Sequence, residues 1–372
     1  MKRRVKGLKY GVALLAISVV WIQCHDSIDG PVKPDGDLTD IPYNPVLYNV
    51  TVPFGFPALE QPADNQMTNA GIWLGRKLFF DPILSIDSTV SCASCHKPSA
   101  SFTDNLEFSM GVNNGVTARG AMSLINVGFH YNGFFWDGRV RTLEEQALKP
   151  VEVPIEMGET WTHVEQKLKR HPLYPADFRK AFGIQNTSEI TKDLATKAIA
   201  QFERSLICGG NTKYDRFVKG EIFLDENEYS GYLMYFNFEP TLPDAQCGHC
   251  HNAPLFASGD YFNNGLQAAA TLDDFADKGL GAITGKPGDN GKFKVPTLRN
   301  IVFTAPYMHD GRFKTLKEVI DHYDSGGKPS PNKSTFLFPI HLTPQQKADL
   351  LAFIMTLTDS SALTNPAFQS PF

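Results

Sequence analysis

The sequence predicts a mainly α-helical chain of two related units in tandem, with long loops and little β structure. Three observations carry this prediction. Apolar residues recur at helical spacing in several segments, one turn-and-cap string occurs twice, and each copy of that string follows one Cys-x-x-Cys-His sequence. The 372 residues, 42% hydrophobic and 20% charged, suit a globular chain of one or two domains. A negative mean hydropathy excludes a polytopic membrane protein. The formal charge of -5 gives no basis for nucleic acid or an anionic membrane as partner. Thirty Gly and 25 Pro commit much of the backbone to turns. The 27 Phe exceed what a core of this size needs, and the six Cys matter through their placement.

The elements follow in order. Lys2, Arg3, Arg4 and Lys6 precede an apolar run from Gly11 to Ile22, too short for a mature membrane span and of the length of a signal-peptide core. Residues 1–24 are therefore expected to direct export to the periplasm. The run ends at Cys24, a candidate lipid-anchor site as in lipoproteins; a soluble periplasmic protein and an uncleaved anchor are the alternatives. Residues 25–58, rich in Pro, Gly and Asp, are expected to be a linker. A helix is expected from Gln66 to Phe80, stopped by Asp81-Pro82, and another from Ser188 to Leu206, with Ile190, Leu194, Ala198, Phe202 and Leu206 in one stripe. Thr142-Leu143-Glu144-Glu145 and Thr315-Leu316-Lys317-Glu318 have the capping-box pattern. Asp225 is a candidate cap for a helix through Phe236, and Thr343-Pro344 opens a last helix.

Asp137-Gly138-Arg139-x-x-Thr142-Leu143-x-Glu145 recurs as Asp310-Gly311-Arg312-x-x-Thr315-Leu316-x-Glu318. With the cysteine motifs in the same order, this divides the chain into units at 59–210 and 211–360 and a tail at 361–372. Cys92-Ala93-Ser94-Cys95-His96 and Cys247-Gly248-His249-Cys250-His251 are two c-type haem attachment motifs. The two-residue spacer lets both thiols reach one porphyrin's vinyl groups, and the adjacent histidine sits under the iron as its proximal ligand. One zinc site with four thiolates, or two short-range disulfides, are the competing readings. The excess Phe then has a use as porphyrin wall. Cys208 has no partner motif and reads as a small buried thiol.

Leu78-Phe79-Phe80-Asp81-Pro82, Phe102-Thr103-Asp104-Asn105, Phe135-Trp136-Asp137-Gly138-Arg139, Pro154-Ile155-Glu156-Met157 and the run from Val295 through Gly311 resemble the bacterial di-haem cytochrome c peroxidases and their MauG-like relatives. The resemblance covers nearly everything from about 60 to 360. It implies two cytochrome c-like haem domains in tandem, each with one covalently bound haem c. The N-terminal haem would reduce hydrogen peroxide, and the C-terminal haem would receive electrons from a small exported cytochrome c or similar donor. By position it makes Glu156 the distal acid/base, Gln146 the amide that positions peroxide and Trp136 the bridge between the haems. Cleaving an O–O bond needs a proton moved from one oxygen to the other, which one carboxyl group can shuttle. On composition alone the three would read as a loop carboxylate, a solvated helix residue and a core aromatic.

Two departures bear on function. The peroxidases of the family rest with a histidine on the peroxidatic iron, from the loop after the first motif. Here that loop, Met110 to Gly115, has none, and His130 lies beyond it. An open distal site in the oxidised enzyme is therefore expected. The second haem takes an axial Met in those enzymes; here the position falls on Tyr323, as in the MauG-like branch, with Met308 the alternative. A phenolate favours higher oxidation states, whereas a thioether raises the potential. The family also implies Ca²⁺ on the Thr304 and Pro306 carbonyls and an Asn of the first domain, whose place is taken by Gly120. The leading function is a peroxidase that reduces hydrogen peroxide to water, with a homodimer as a candidate assembly. The alternatives are a MauG-like oxidase of a protein or organic substrate through high-valent iron and a non-enzymatic electron carrier.

Overall fold

The computed structural model describes residues 35–372, so the proposed export segment at 1–24 and the start of the linker lie outside the described residues. The first unit holds α1 (Asn69–Phe80), α2 (Cys92–Cys95), α3 (Leu143–Glu152), α4 (Trp161–Arg170), α5 (Tyr174–Phe182) and α6 (Lys192–Ser205). The second holds α7 (Lys213–Val218), α8 (Glu226–Phe236), α9 (Cys247–Cys250), α10 (Gly281–Thr284), α11 (Leu316–Asp324) and α12 (Pro344–Met355), with a short α13 (Ser361–Thr364) after it. The one sheet among the described residues pairs β1 (Tyr261–Phe262) antiparallel with β2 (Phe293–Lys294).

Local chemistry sets the helix bounds. Thr68 caps α1 through its side chain on Gly71 N, and the helix ends at Asp81 because Pro82 forces the preceding residue out of helical geometry. Thr142, Asp225, Thr315 and Thr343 accept from the amides of Glu145, Glu228, Glu318 and Gln346. The long 188–206 stretch splits, because a short 3₁₀ turn at Thr187–Glu189 precedes the Thr191 cap of α6.

Each unit is organised by one close helix pair, α1 on α6 and α8 on α12. Both pairs approach over a glycine. A Cβ on Gly75 would lie 1.9 Å from Ala198 O, and one on Gly231 would lie 2.1 Å from Asp349 O. Around the first pair Leu74, Leu78, Phe79, Phe178 and Phe202 form one core; around the second Tyr235, Phe256, Leu350, Phe353 and Leu357 form another. The first core draws on residues 38–208 together with Ala362 and Phe368, and the second on residues 214–357.

The flanking segments return to the first unit. Within 35–58, read as linker, Leu38 and Ile41 enter the first core, and Leu38 N donates to Gln185 O at 2.9 Å. In the 361–372 tail, Ala362 and Phe368 join the same core and Phe368 packs edge-on against Phe102. These anchors are single apolar residues among Pro, Gly and polar neighbours, so no periodicity marks them.

Candidate functional site

The first attachment motif forms α2, whose thiols Cys92 and Cys95 face a cavity of about 70 Å³ between α2, α3 and α6. His96 closes the helix, and its Nδ1 lies 2.9 Å from Phe102 O. That bond fixes Nδ1–H as donor and leaves Nε2 as the free ligand atom. Burial lowers the pKa of His96, which favours the neutral ring that a metal requires. Gln146, from α3, and Glu156, from the turn after α3, line the same cavity with Met157 and Pro150.

The loop from Met110 to Gly115 is held against this turn. Val112 N donates to Glu156 O at 2.9 Å, and Cβ atoms on Gly111 and Gly115 would lie 2.1 and 2.5 Å from Ile155 O. The loop thus presents backbone to the cavity floor. His96 is the one histidine among the lining residues. His130 packs beside Phe134, away from the cavity, and burial brings its pKa down to about 3. Burial raises the Glu156 carboxyl, against a smaller opposing pull from Arg139, so the acid is disposed to hold a proton.

The second motif forms α9 beside a cavity of about 210 Å³ that contains Cys247, Cys250 and His251 on its wall. His251 repeats the first arrangement, with Nδ1 3.0 Å from Pro296 O and 3.3 Å from Phe256 O. Tyr323, on α11, and Met308 both reach this cavity. Asn264 Nδ2 lies 3.3 Å from Tyr323 Oη and 3.4 Å from Met308 Sδ, so both candidate ligand atoms converge on one amide. Burial pushes the Tyr323 phenol up to about 12, while the Asn264 bond pulls the other way.

Trp136 stands in the seam between the units and lines the second cavity. Its Nε1 donates to Gly120 O at 2.9 Å, its carbonyl accepts from Lys294 N at 2.8 Å, and its ring meets His309 edge-on. Thr103 and Asp104, next to the Phe102 carbonyl that orients His96, line the second cavity as well. The indole therefore lies where the wall of one cavity meets the supporting loop of the other.

Side chains to which the sequence assigned no role hold this seam. Arg119 donates from Nη1 to Asp137 Oδ2 at 2.7 Å, and from Nε and Nη2 to both oxygens of Asp277 at 2.7 and 2.8 Å. Asn105 Nδ2 donates to Phe303 O and Ala305 O, both at 2.8 Å. Thr304 and Pro306 sit in that stitched loop, but Gly120 offers no side-chain oxygen. Calcium takes roughly six to eight oxygens. Of the three expected protein donors, the two carbonyls of Thr304 and Pro306 are present and the side-chain oxygen is missing, so water would have to supply most of such a cage.

The residues do fit haem. The two thiol pairs line different cavities, which removes a shared four-thiolate zinc site, and all four cysteines are unpaired thiols. Each cavity has a histidine with Nδ1 already engaged. Glu203, on the helix that walls the first cavity, is buried with no hydrogen-bond partner for Oε2. A profile of the family described as di-haem cytochrome c peroxidase matches residues 69–222. A cytochrome-c peroxidase of Pseudomonas sp. (strain SCT) is 34% identical over 82% of this chain and 86% of its own. The methylamine utilization protein MauG of Methylorubrum extorquens is 33% identical over 83% and 84%. This chain belongs to the di-haem cytochrome c peroxidase family. The crystal structure of a MauG-like protein associated with microbial copper homeostasis, 35% identical, superposes with a TM-score of 0.79 over 87% of this chain and 99% of that one.

Membership in the di-haem family implies haem c as cofactor and an oxidoreductase, and its relatives include both peroxidases and MauG proteins. Glu203 is a lining residue of the first cavity that the sequence did not mark. It lies on α6, 4% exposed, and burial pushes its carboxyl up to about 8. The available signal was a carboxylate four residues after Ile199 on a helix buried nearly all round. Cys208 is buried as expected, its sulfur 3.4 Å from Asn300 Nδ2.

Proposed function

We propose that this chain is an exported di-haem peroxidase that reduces hydrogen peroxide to water with electrons from a small cytochrome c or similar donor. The observation that carries this reading is the joint presence of Gln146, Glu156 and His96 on one cavity whose lining has no second histidine. A haem held there by Cys92, Cys95 and His96 supplies an iron that binds peroxide and passes electrons to it. The protein's own part is proton handling. As a carboxylate Glu156 takes a proton from the near peroxide oxygen and, as the acid so formed, returns it to the far oxygen as that oxygen leaves; burial, which raises its pKa, strengthens it as the accepting base. Gln146 holds the peroxide by its amide, and two electrons and two protons per peroxide leave two waters. Trp136 shortens the path by which electrons cross from the second cavity. The basic and apolar start of the chain supports a periplasmic location, with Cys24 as anchor if it is acylated.

A second reading is favoured by one observation, Tyr323 beside Asn264 in the second cavity. A phenolate on that haem favours storage of oxidising equivalents, which suits a MauG-like oxidase of a protein or organic substrate. Donor-coupled turnover decides between them. With reduced cytochrome c as donor, the haem-loaded protein consumes peroxide without prior reduction, and Glu156→Gln slows this roughly 10²- to 10⁴-fold. Oxidation of an organic reductant by peroxide with no reaction toward cytochrome c would replace the first reading by the second. Full turnover in the Glu156→Gln enzyme would remove the proton role.

A further inference from the structure

Tyr323 and Met308 are the two candidate axial ligands of the second cavity, and one amide holds both. Asn264 Nδ2 donates to Tyr323 Oη at 3.3 Å and to Met308 Sδ at 3.4 Å, and all three residues line the cavity with Cys247, Cys250 and His251. An amide nitrogen carries two hydrogens, so one Asn serves both acceptors at once.

The amide is fixed from the side of the tyrosine. His322, the residue before Tyr323 on α11, donates from Nε2 to Asn264 O at 2.8 Å, so the helix that carries the phenol also grips the backbone of Asn264. Asn263 is 3% exposed, accepts from Gly265 N at 3.0 Å and donates to Ser330 Oγ and Asn332 Oδ1 at 2.9 and 2.8 Å. Gly265 O in turn accepts from Lys328 N at 2.7 Å, just past α11. Met308 belongs to a different loop, tied by Tyr307 N to Phe313 O at 2.7 Å. Its φ of 75° lies in the left-handed region, which a residue with a side chain keeps only where its surroundings impose it. The backbone of Met308 is thus set elsewhere, and its sulfur meets an amide that is already anchored.

The two acceptors respond differently to that donor. A hydrogen bond to a thioether, a weak acceptor, engages a lone pair that ligation would use and ties the sulfur to a fixed point. A phenolate oxygen keeps lone pairs for a metal while it accepts, and a second donor then orients it. We propose that Asn264 is a positioning residue that holds the Met308 sulfur off the iron and seats Tyr323 as the axial ligand of the C-terminal haem. This rests on haem in the second cavity and not on peroxide turnover.

The test is EPR and near-infrared magnetic circular dichroism of the ferric, haem-loaded protein, with spectroelectrochemical titration. The parent shows phenolate ligation at the C-terminal haem and no thioether signature. Asn264→Leu releases the sulfur, so thioether ligation appears and reduction of that haem becomes roughly a hundredfold more favourable, about 118 mV for one electron. Adding Met308→Leu to Asn264→Leu removes the competing sulfur and restores phenolate ligation and the parent midpoint, a rescue that a merely structural Asn264 would not give. Thioether ligation in the parent overturns the proposal. So does Asn264→Leu with phenolate ligation and a midpoint within about threefold of the parent, or a double variant that is not rescued. If Asn264→Leu is not obtained with both haems, Asn264→Asp, equal in size and lacking the amide, is judged by its ligation spectrum, and a parent-like spectrum overturns the proposal. None of these readouts uses peroxide, so the expected spectra without peroxide turnover would sink the peroxidase reading and leave this one standing.

Discussion

Replacing Arg299 by Met tests how the second unit holds its haem motif. Arg299 is 1% exposed and donates from Nη1 and Nη2 to the two oxygens of Asp215, at 3.1 and 2.8 Å, and from Nε to Pro254 O at 2.7 Å. Its guanidinium lies between the rings of Phe56 and Phe256. Met conserves much of the volume but leaves the Asp215 carboxylate buried without its cation. Breaking such a pair from one side costs about 3–5 kcal/mol. Asp215 retains Gly210 N at 2.7 Å and Thr212 N at 3.2 Å, which argues for the low end. At roughly 2–4 °C per kcal/mol for a unit of this size, Tm falls by about 6–12 °C. Burial pushes the Asp215 carboxyl up, but Arg299 outweighs it and holds the pKa below the ordinary aspartate value, so the pair's stabilisation is present above that value and lost as pH falls through the folded pKa. In the variant the buried carboxyl titrates higher, and the deficit shrinks below about pH 4. Thermal unfolding of the haem-loaded protein, followed by circular dichroism at pH 7 and pH 4, measures both effects. A loss under about 1 kcal/mol at pH 7 refutes the reasoning, as does a deficit that grows in acid. Arg299→Met with Asp215→Asn should recover a large part of the loss, since no unpaired charge remains.

Three further outcomes are expected. Glu203 holds a proton in the folded state up to about pH 8, while the unfolded chain releases it near 4.5, so the stability it contributes is full below 4.5 and lost as pH rises toward 8. Glu203→Gln therefore flattens the pH dependence of Tm in that window and gains on the order of a few kcal/mol at pH 8; a parallel pH profile would show that the carboxyl is paired. Gly111→Ala drives a methyl into the Ile155 and Glu156 backbone, so peroxide turnover falls roughly 10²-fold with both haems attached, and unchanged kinetics would mean that the loop does not set the Glu156 position. Arg119→Leu removes the clamp across the seam and lowers stability by about 1.5–3 kcal/mol in denaturant titration, while calcium chelation leaves the parent unchanged; a chelator effect would show that an ion holds the seam.

The sequence by itself determined what short spacings encode. Two Cys-x-x-Cys-His strings specify covalent haem attachment because thiols and ligand are adjacent in the chain. Thr142, Asp225, Thr315 and Thr343 specify helix starts because a cap acts within three residues. The repeat of Asp137 to Glu145 at Asp310 to Glu318 pointed to two related units. Ordered motif matches also pointed to Gln146 and Glu156, although nothing local distinguishes them from surface residues.

Only the tertiary structure decided what depends on distant segments meeting. It brought Gln146 and Glu156 onto one wall with His96, and set Met308 and Tyr323 against the same Asn264 amide. It also revealed Arg119 gripping Asp277 from 158 positions away, and Asn105 stitched to carbonyls some 200 positions on. A charge or an amide carries no period, so its partner cannot be inferred from its neighbours in the chain. Glu203 and Lys294 are the sharpest cases. Each looks like an ordinary charged residue until burial by distant segments strips its water.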